Sequence, residues 1–133
     1  MRDFYKKTKE FFIGDLAADS DAIIYPFWTV PNAIRITAAR LGVKTAVTKA
    51  DTNYNTVTLK GGATSIASIA NGPNSAAGTS IAAGAFGTMT VVTAASANEV
   101  AADAVLTLAT VKTGNGLAMV GVRVQIDYYD INP

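Results

Sequence analysis

The chain has 133 residues, no cysteine and no histidine, and its 11 basic and 10 acidic residues leave a formal net charge of +1. These numbers exclude disulfides, thiolate metal sites, Ser-His-Asp or Cys-His catalysis, and a global field that would gather nucleic acid or anionic membrane. The length fits one domain. Charged residues make up only 16% of the chain, below the usual quarter, which predicts either broad neutral faces for protein contact or a neutral polar surface of Thr, Ser and Asn.

Half the residues are hydrophobic, but Ala supplies a large share of them. The core is therefore modest, and oligomerisation would add to it.

The chain divides into a leader, residues 1–26, and a β-sandwich domain, residues 27–133. In the leader Phe4, Tyr5, Phe11, Phe12, Ile13 and Leu16 are apolar, and Arg2, Lys6, Lys7 and Lys9 are cationic. At helical spacing Tyr5, Phe12, Ile13 and Leu16 share a face, yet so short a helix is marginal in water. The expectation is an extended or partly helical N-terminal arm that orders against a partner, with these residues as its docking set. The alternative is that the leader packs back on its own domain or frays. Gly14 and Asp15 interrupt the apolar cluster Phe11-Phe12-Ile13, so no signal peptide is expected, and no run reaches the length of a membrane span.

From Ala22 to Val30 the pattern is a strand, which Pro26 confines to an edge or a bulge. After the Pro31-Asn32 turn, Ile34, Ile36 and Ala38 alternate with Arg35, Thr37 and Ala39, the period of a half-buried strand. Asn55 to Lys60 alternates likewise, Gly61-Gly62 predicts a turn, and Ala63 to Ile69 another strand. Asn71-Gly72-Pro73-Asn74 is a strong turn signal, followed by a small-residue stretch to Gly87. Thr88 to Thr93 reads as a strand, and Ser96-Ala-Asn-Glu99 fits a capping box with one helical turn to Asp103. Val105 to Val111 is a strand, Gly114-Asn-Gly116 a hairpin loop, and Ala118 to Tyr129 a long strand. Val120, Val122, Val124, Ile126 and Tyr128 are expected on one face of it, with Arg123, Gln125, Asp127 and Tyr129 on the other. About eight short strands without a sustained helical period mean an all-β sandwich.

Candidates for chemistry are few. Asp51, Glu99, Asp103, Asp127 and Asp130 are the acids from which a hydrolytic pair would come, but they sit by turns and strand ends, where solvated acids are ordinary. Asp51, Asn53 and Asn55 match the first spacings of a calcium loop, without its glycine and glutamate, and a polar turn explains them better. Tyr25, Phe27 and Trp28 suit either a sugar platform or the core. No catalytic, cofactor or metal residue is assigned.

The segments Phe27-Trp-Thr-Val-Pro31, Val57-Thr-Leu-Lys-Gly61 and Ser96-Ala-Asn-Glu-Val-Ala-Ala-Asp103, the last leading into Val105-Leu-Thr-Leu108, resemble small β-sandwich proteins of tailed bacteriophages. The closing strand, Gly116 to Tyr128, is similar too, so the resemblance spans Phe27 to Tyr129. It implies a jelly-roll-like antiparallel sandwich that decorates or cements the capsid. The protein would be a structural virion component on the head surface, made in a bacterial cytoplasm. Its partner would be the major capsid protein and its assembly a homotrimer, built through the small residues around Ala76 to Gly87. No enzyme activity, cofactor, nucleic-acid or membrane partner is implied. A carbohydrate- or receptor-binding module of a tail or fibre is the alternative, and a head-to-tail completion protein a third.

Overall fold

A computed structural model describes residues 5–17, 23–73, 78–94 and 96–131. The described residues form strands β1 (Lys7–Leu16), β2 (Ile23–Thr29), β3 (Ile34–Gly42), β4 (Tyr54–Gly61), β5 (Thr64–Ala70), β6 (Phe86–Thr88), β7 (Thr90–Val91), β8 (Glu99–Val100), β9 (Val105–Thr113) and β10 (Met119–Asp130), with no helix among them. The first sheet runs β1-β10-β3-β6, with β8 also paired to β3; the second runs β2-β9-β4-β5-β7. All pairings are antiparallel.

Among consecutive strands, only β4 and β5 pair directly, through a turn that places Gly62 at φ +61°. Every other connection crosses between the sheets, and the core lies between them. Val57, Leu59, Leu106 and Leu108 of the second sheet join Ile36, Val122, Val124 and Ile126 of the first in one buried cluster. Burying each such side chain contributes about 1.5–3 kcal/mol, which makes this alternation the main determinant of register.

The alternation is broken at bulges, which a strict period of two does not anticipate. Thr37 is an extra residue in β3: Asp127 pairs with Ala38 but Tyr128 with Ile36. Beyond it Ala39 and Leu41 take the core face in place of Ala38. At the start of β10, Gly121 adopts φ +63°; Met119 is buried there and Val120 is turned outward. Pro26 sits on edge strand β2, beside the register shift between Pro26 and Trp28, as its missing amide requires.

Three further expectations are corrected. Residues 88–93 are not one strand: Met89 is buried and donates its amide to Ala39, so β6 and β7 fall in different sheets. Residues 96–98 make a turn into β8 and not a helical turn. Asn98 brackets Ile36 with its backbone carbonyl and its side-chain amide, and the Glu99 carboxylate is taken by Arg35. The 114–116 turn closes no hairpin, because β9 and β10 lie in opposite sheets. Of the stretch expected to build a trimer, residues 76 and 77 lie outside the described residues. Ile81 is core, and Gly87 is packed so closely under Ile69 and Ile81 that a Cβ would meet either at 2.9 Å.

Candidate interaction surface

The leader is not a separate arm where it is described. Lys7–Leu16 is the edge strand of the first sheet, paired antiparallel with β10 from Lys7 opposite Tyr128 to Leu16 opposite Met119. The expected 26/27 boundary falls inside β2. A helical reading of the leader fails because the side chains alternate across a pleat. Phe11 and Ile13 pack against the core, Leu16 is 1% exposed within it, and Phe12 points away at 74% exposed.

The docking residues named from sequence are thus dispersed. Arg2 and Phe4 lie outside the described residues. Leu16 is unavailable to a partner, and Phe11 sits 4.9 Å from Phe27 and 5.5 Å from Trp28. Lys7 donates to Asp130 at 2.7 Å, and the Lys9 ammonium stands 4.7 Å over the Trp28 ring. Lys6 lies 3.9 Å from Asp127. Among the described residues, Tyr5 and Phe12 remain as the large exposed side chains of this end, Tyr5 at 84%. Inward-pointing cations and a bulge, here Lys7, Lys9 and the register shift at Gly14, are devices by which edge strands resist pairing with another chain. What β1 offers a partner is therefore its outward side chains.

Those side chains begin a set of cross-strand rows over the outer face of the first sheet. Phe12 is opposite Arg123, Arg123 opposite Gly42, and Gly42 opposite Phe86. The Phe86 ring lies over Gly42, where a Cβ would meet it at 2.7 Å, and the Arg123 guanidinium stacks 5.1 Å from its centroid. The next row is Glu10, Gln125, Arg40 and Thr88, with Arg40 donating to Gln125 at 2.9 Å. In the third, Thr8 donates to Asp127 at 2.8 Å. In the last, Arg35 bonds Tyr129 at 2.9 Å and pairs with Glu99.

The electrostatics of this face are internally balanced. Arg40 first, then Thr8 and Lys6, hold the Asp127 carboxyl below the usual carboxylate range against the opposing effect of burial. Asp127 in return raises Arg40, and the hydrogen bonds to Glu99 and Tyr129 raise Arg35. Burial pushes the Tyr128 phenol up. With these charges paired, Phe12 and the Arg123–Phe86 stack are the groups best suited to anchor a partner, since buried aromatic and Arg residues dominate contact energies.

The acids singled out from sequence are dispersed as well: Asp127 serves Arg40, Glu99 serves Arg35, and Asp130 serves Lys7. Among the described residues no cluster of three or more metal-ligating side chains occurs. The calcium-like spacing is a polar turn, because Asn53 and Asn55 accept the amides of Asn115 and Leu117 through their side-chain oxygens. Trp28 is engaged within the molecule by Phe11, Lys9 and Tyr128, the last at 5.4 Å, and leaves only a shallow recess of about 240 Å³ with Pro26, Phe27, Thr29 and Val105. Sequence reasoning missed Arg123 and Phe86; the two meet only through two successive strand registers, which no local pattern encodes.

No family model, curated protein or solved structure matches the chain. The class its geometry defines is an all-β protein of two packed antiparallel sheets.

Proposed function

We propose that this chain is a structural attachment protein of a virus particle, a decoration or cement protein bound to the major capsid protein on the head surface of a tailed bacteriophage. In this reading it assembles as a homotrimer, is made in the bacterial cytoplasm, and carries no catalytic centre. The fold belongs to the reading as a jelly roll. In its support, β1-β10-β3-β6 and β2-β9-β4-β5 divide eight strands between two sheets with the alternation of two Greek keys, an architecture common in capsid proteins.

One observation carries the functional reading: Phe12, 74% exposed on the outer face of the first sheet beside the Arg123–Phe86 stack. Burying such a ring against a shell subunit is worth about 1.5–3 kcal/mol. Linked copies multiply the attachment through effective concentration, which is how a small protein staples neighbouring subunits.

Cosedimentation with phage heads stripped of surface proteins tests this. Wild-type protein pellets with the heads, whereas Phe12→Ser stays folded and binds roughly ten-fold or more weakly, the loss that such burial implies. Equal binding by both proteins would contradict the role of Phe12, and no binding by either would contradict the capsid partner.

A further inference from the structure

The arginines of the first sheet differ in what their guanidinium groups hold. Arg40 is taken up by Asp127 and Gln125, and Arg35 by Glu99 and Tyr129. Among the described residues, the Arg123 guanidinium has no hydrogen-bond partner: it approaches the Glu10 carboxylate only to 3.9 Å, too long for a hydrogen bond. The side chain is 33% exposed. It is nonetheless held in place, because the guanidinium stacks 5.1 Å from the Phe86 centroid and Phe86 lies on the bare backbone of Gly42. Strand pairing sets it opposite Phe12, whose ring is exposed.

We infer that Arg123 takes a single carboxylate of the shell subunit, one set beside an apolar recess that receives the Phe12 ring. The planar fork of an arginine matches a carboxylate through two parallel hydrogen bonds, and stacking on a ring fixes its plane before the partner arrives. A phosphate would fit the fork as well, but a polyanion would not fit the surroundings. Glu10 stands beside Arg123, and Asp15 and Lys44 both lie against Gly121. Each cation at this end therefore has an acid near it, and no surplus positive field gathers nucleic acid or an anionic membrane. The exposed Phe12 ring asks for an apolar wall next to the charge, which a protein surface supplies. Glu10 then has a definite effect: it repels the incoming carboxylate and competes with it for the fork. The inference rests on the capsid reading and names the chemistry of that contact.

Cosedimentation with stripped heads over a range of salt concentrations is the test, using variants with an unchanged far-ultraviolet spectrum. Arg123→Gln should bind roughly ten-fold or more weakly than wild type, the loss expected for charge-assisted hydrogen bonds. Arg123→Lys should not recover that loss, because an ammonium has no fork. Glu10→Gln should bind more tightly, by roughly two- to five-fold, a gain that a merely structural role for Arg123 would not produce. Added salt should weaken wild-type binding more steeply than that of Arg123→Gln. Wild-type affinity in Arg123→Gln, or unchanged or weaker binding by Glu10→Gln, would overturn the inference and leave the capsid reading standing. No binding by wild type would fault that reading and the inference with it.

Discussion

The Arg40 guanidinium donates two hydrogen bonds to the Asp127 carboxylate, at 2.8 and 3.3 Å, across the neighbouring strands β3 and β10. The carboxylate is 5% exposed as a residue and also takes the Thr8 hydroxyl, so this pair ties edge strand β1 to the centre of the sheet. Removing the acid leaves Arg40 without its strongest partner. Asp127→Asn should therefore cost about 1–3 kcal/mol at neutral pH, read by urea denaturation.

The same pair sets a pH dependence. The folded-state pKa of Asp127 is depressed, so its stabilisation is fully present above the unfolded value, near about 3.9, and is lost as pH falls through the folded value. The stability difference between wild type and Asp127→Asn should be flat from pH 8 to 5 and shrink below pH 4. A difference that stayed constant down to pH 2 would show that the carboxylate charge is not what stabilises this site.

Phe12 and Leu16 lie on one strand and face opposite ways. Leu16→Ala empties a buried position and should cost about 2–5 kcal/mol. Phe12→Ala removes an exposed ring and should change stability by less than about 0.5 kcal/mol. Thermal melts of the two variants check this, and a large loss in Phe12→Ala would mean the ring is covered. Deleting residues 2–16 should unfold the domain, because β10 would lose one of its two neighbours and the core would lose Leu16.

Gly42 and Phe86 share one volume. Gly42→Ala should cost about 1–3 kcal/mol through overpacking, because the new methyl displaces the ring and with it the seat of Arg123. In a Phe86→Ala background the same substitution should cost far less, so the double-mutant cycle should show a coupling of about 0.5–3 kcal/mol. Additive effects would mean that the ring does not lie over position 42.

Asn55 is fully buried, and its side chain bonds both the amide and the carbonyl of Leu117. Asn55→Ala leaves two backbone groups of half-buried Leu117 unpaired and should cost about 1–3 kcal/mol for each group not rescued by water. Millimolar calcium should leave the wild-type melting temperature unchanged. A rise of several degrees would reinstate a cation at this turn.

What the sequence made legible is what two-residue alternation reports. The strands at Ile34–Ile36, Val57–Leu59 and Leu106–Leu108 follow from apolar residues that reach one core, and Pro26 correctly marks an edge. β1 escaped that reading because Lys7 and Lys9 occupy core-facing positions, where their ammonium groups reach Asp130 and Trp28. The apolar pattern then passes for a ragged helix. The bulge at Thr37 inverts faces without a local signature, and the one at Gly121 is marked only by a glycine inside a strand pattern. Phe12 was named among the docking residues for its chemistry, but its separation from Leu16 required the strand. The Arg123–Phe86 stack is a product of register between distant segments, and it became visible only in the fold.

Cryo-electron microscopy of decorated heads would test most directly whether the first sheet is the attachment face. The expected density places the outer side of β1 and β10 against the shell, with Phe12 buried between subunits beside Arg123. Density in which Phe12 faces solvent while the loops or the second sheet touch the shell would contradict it.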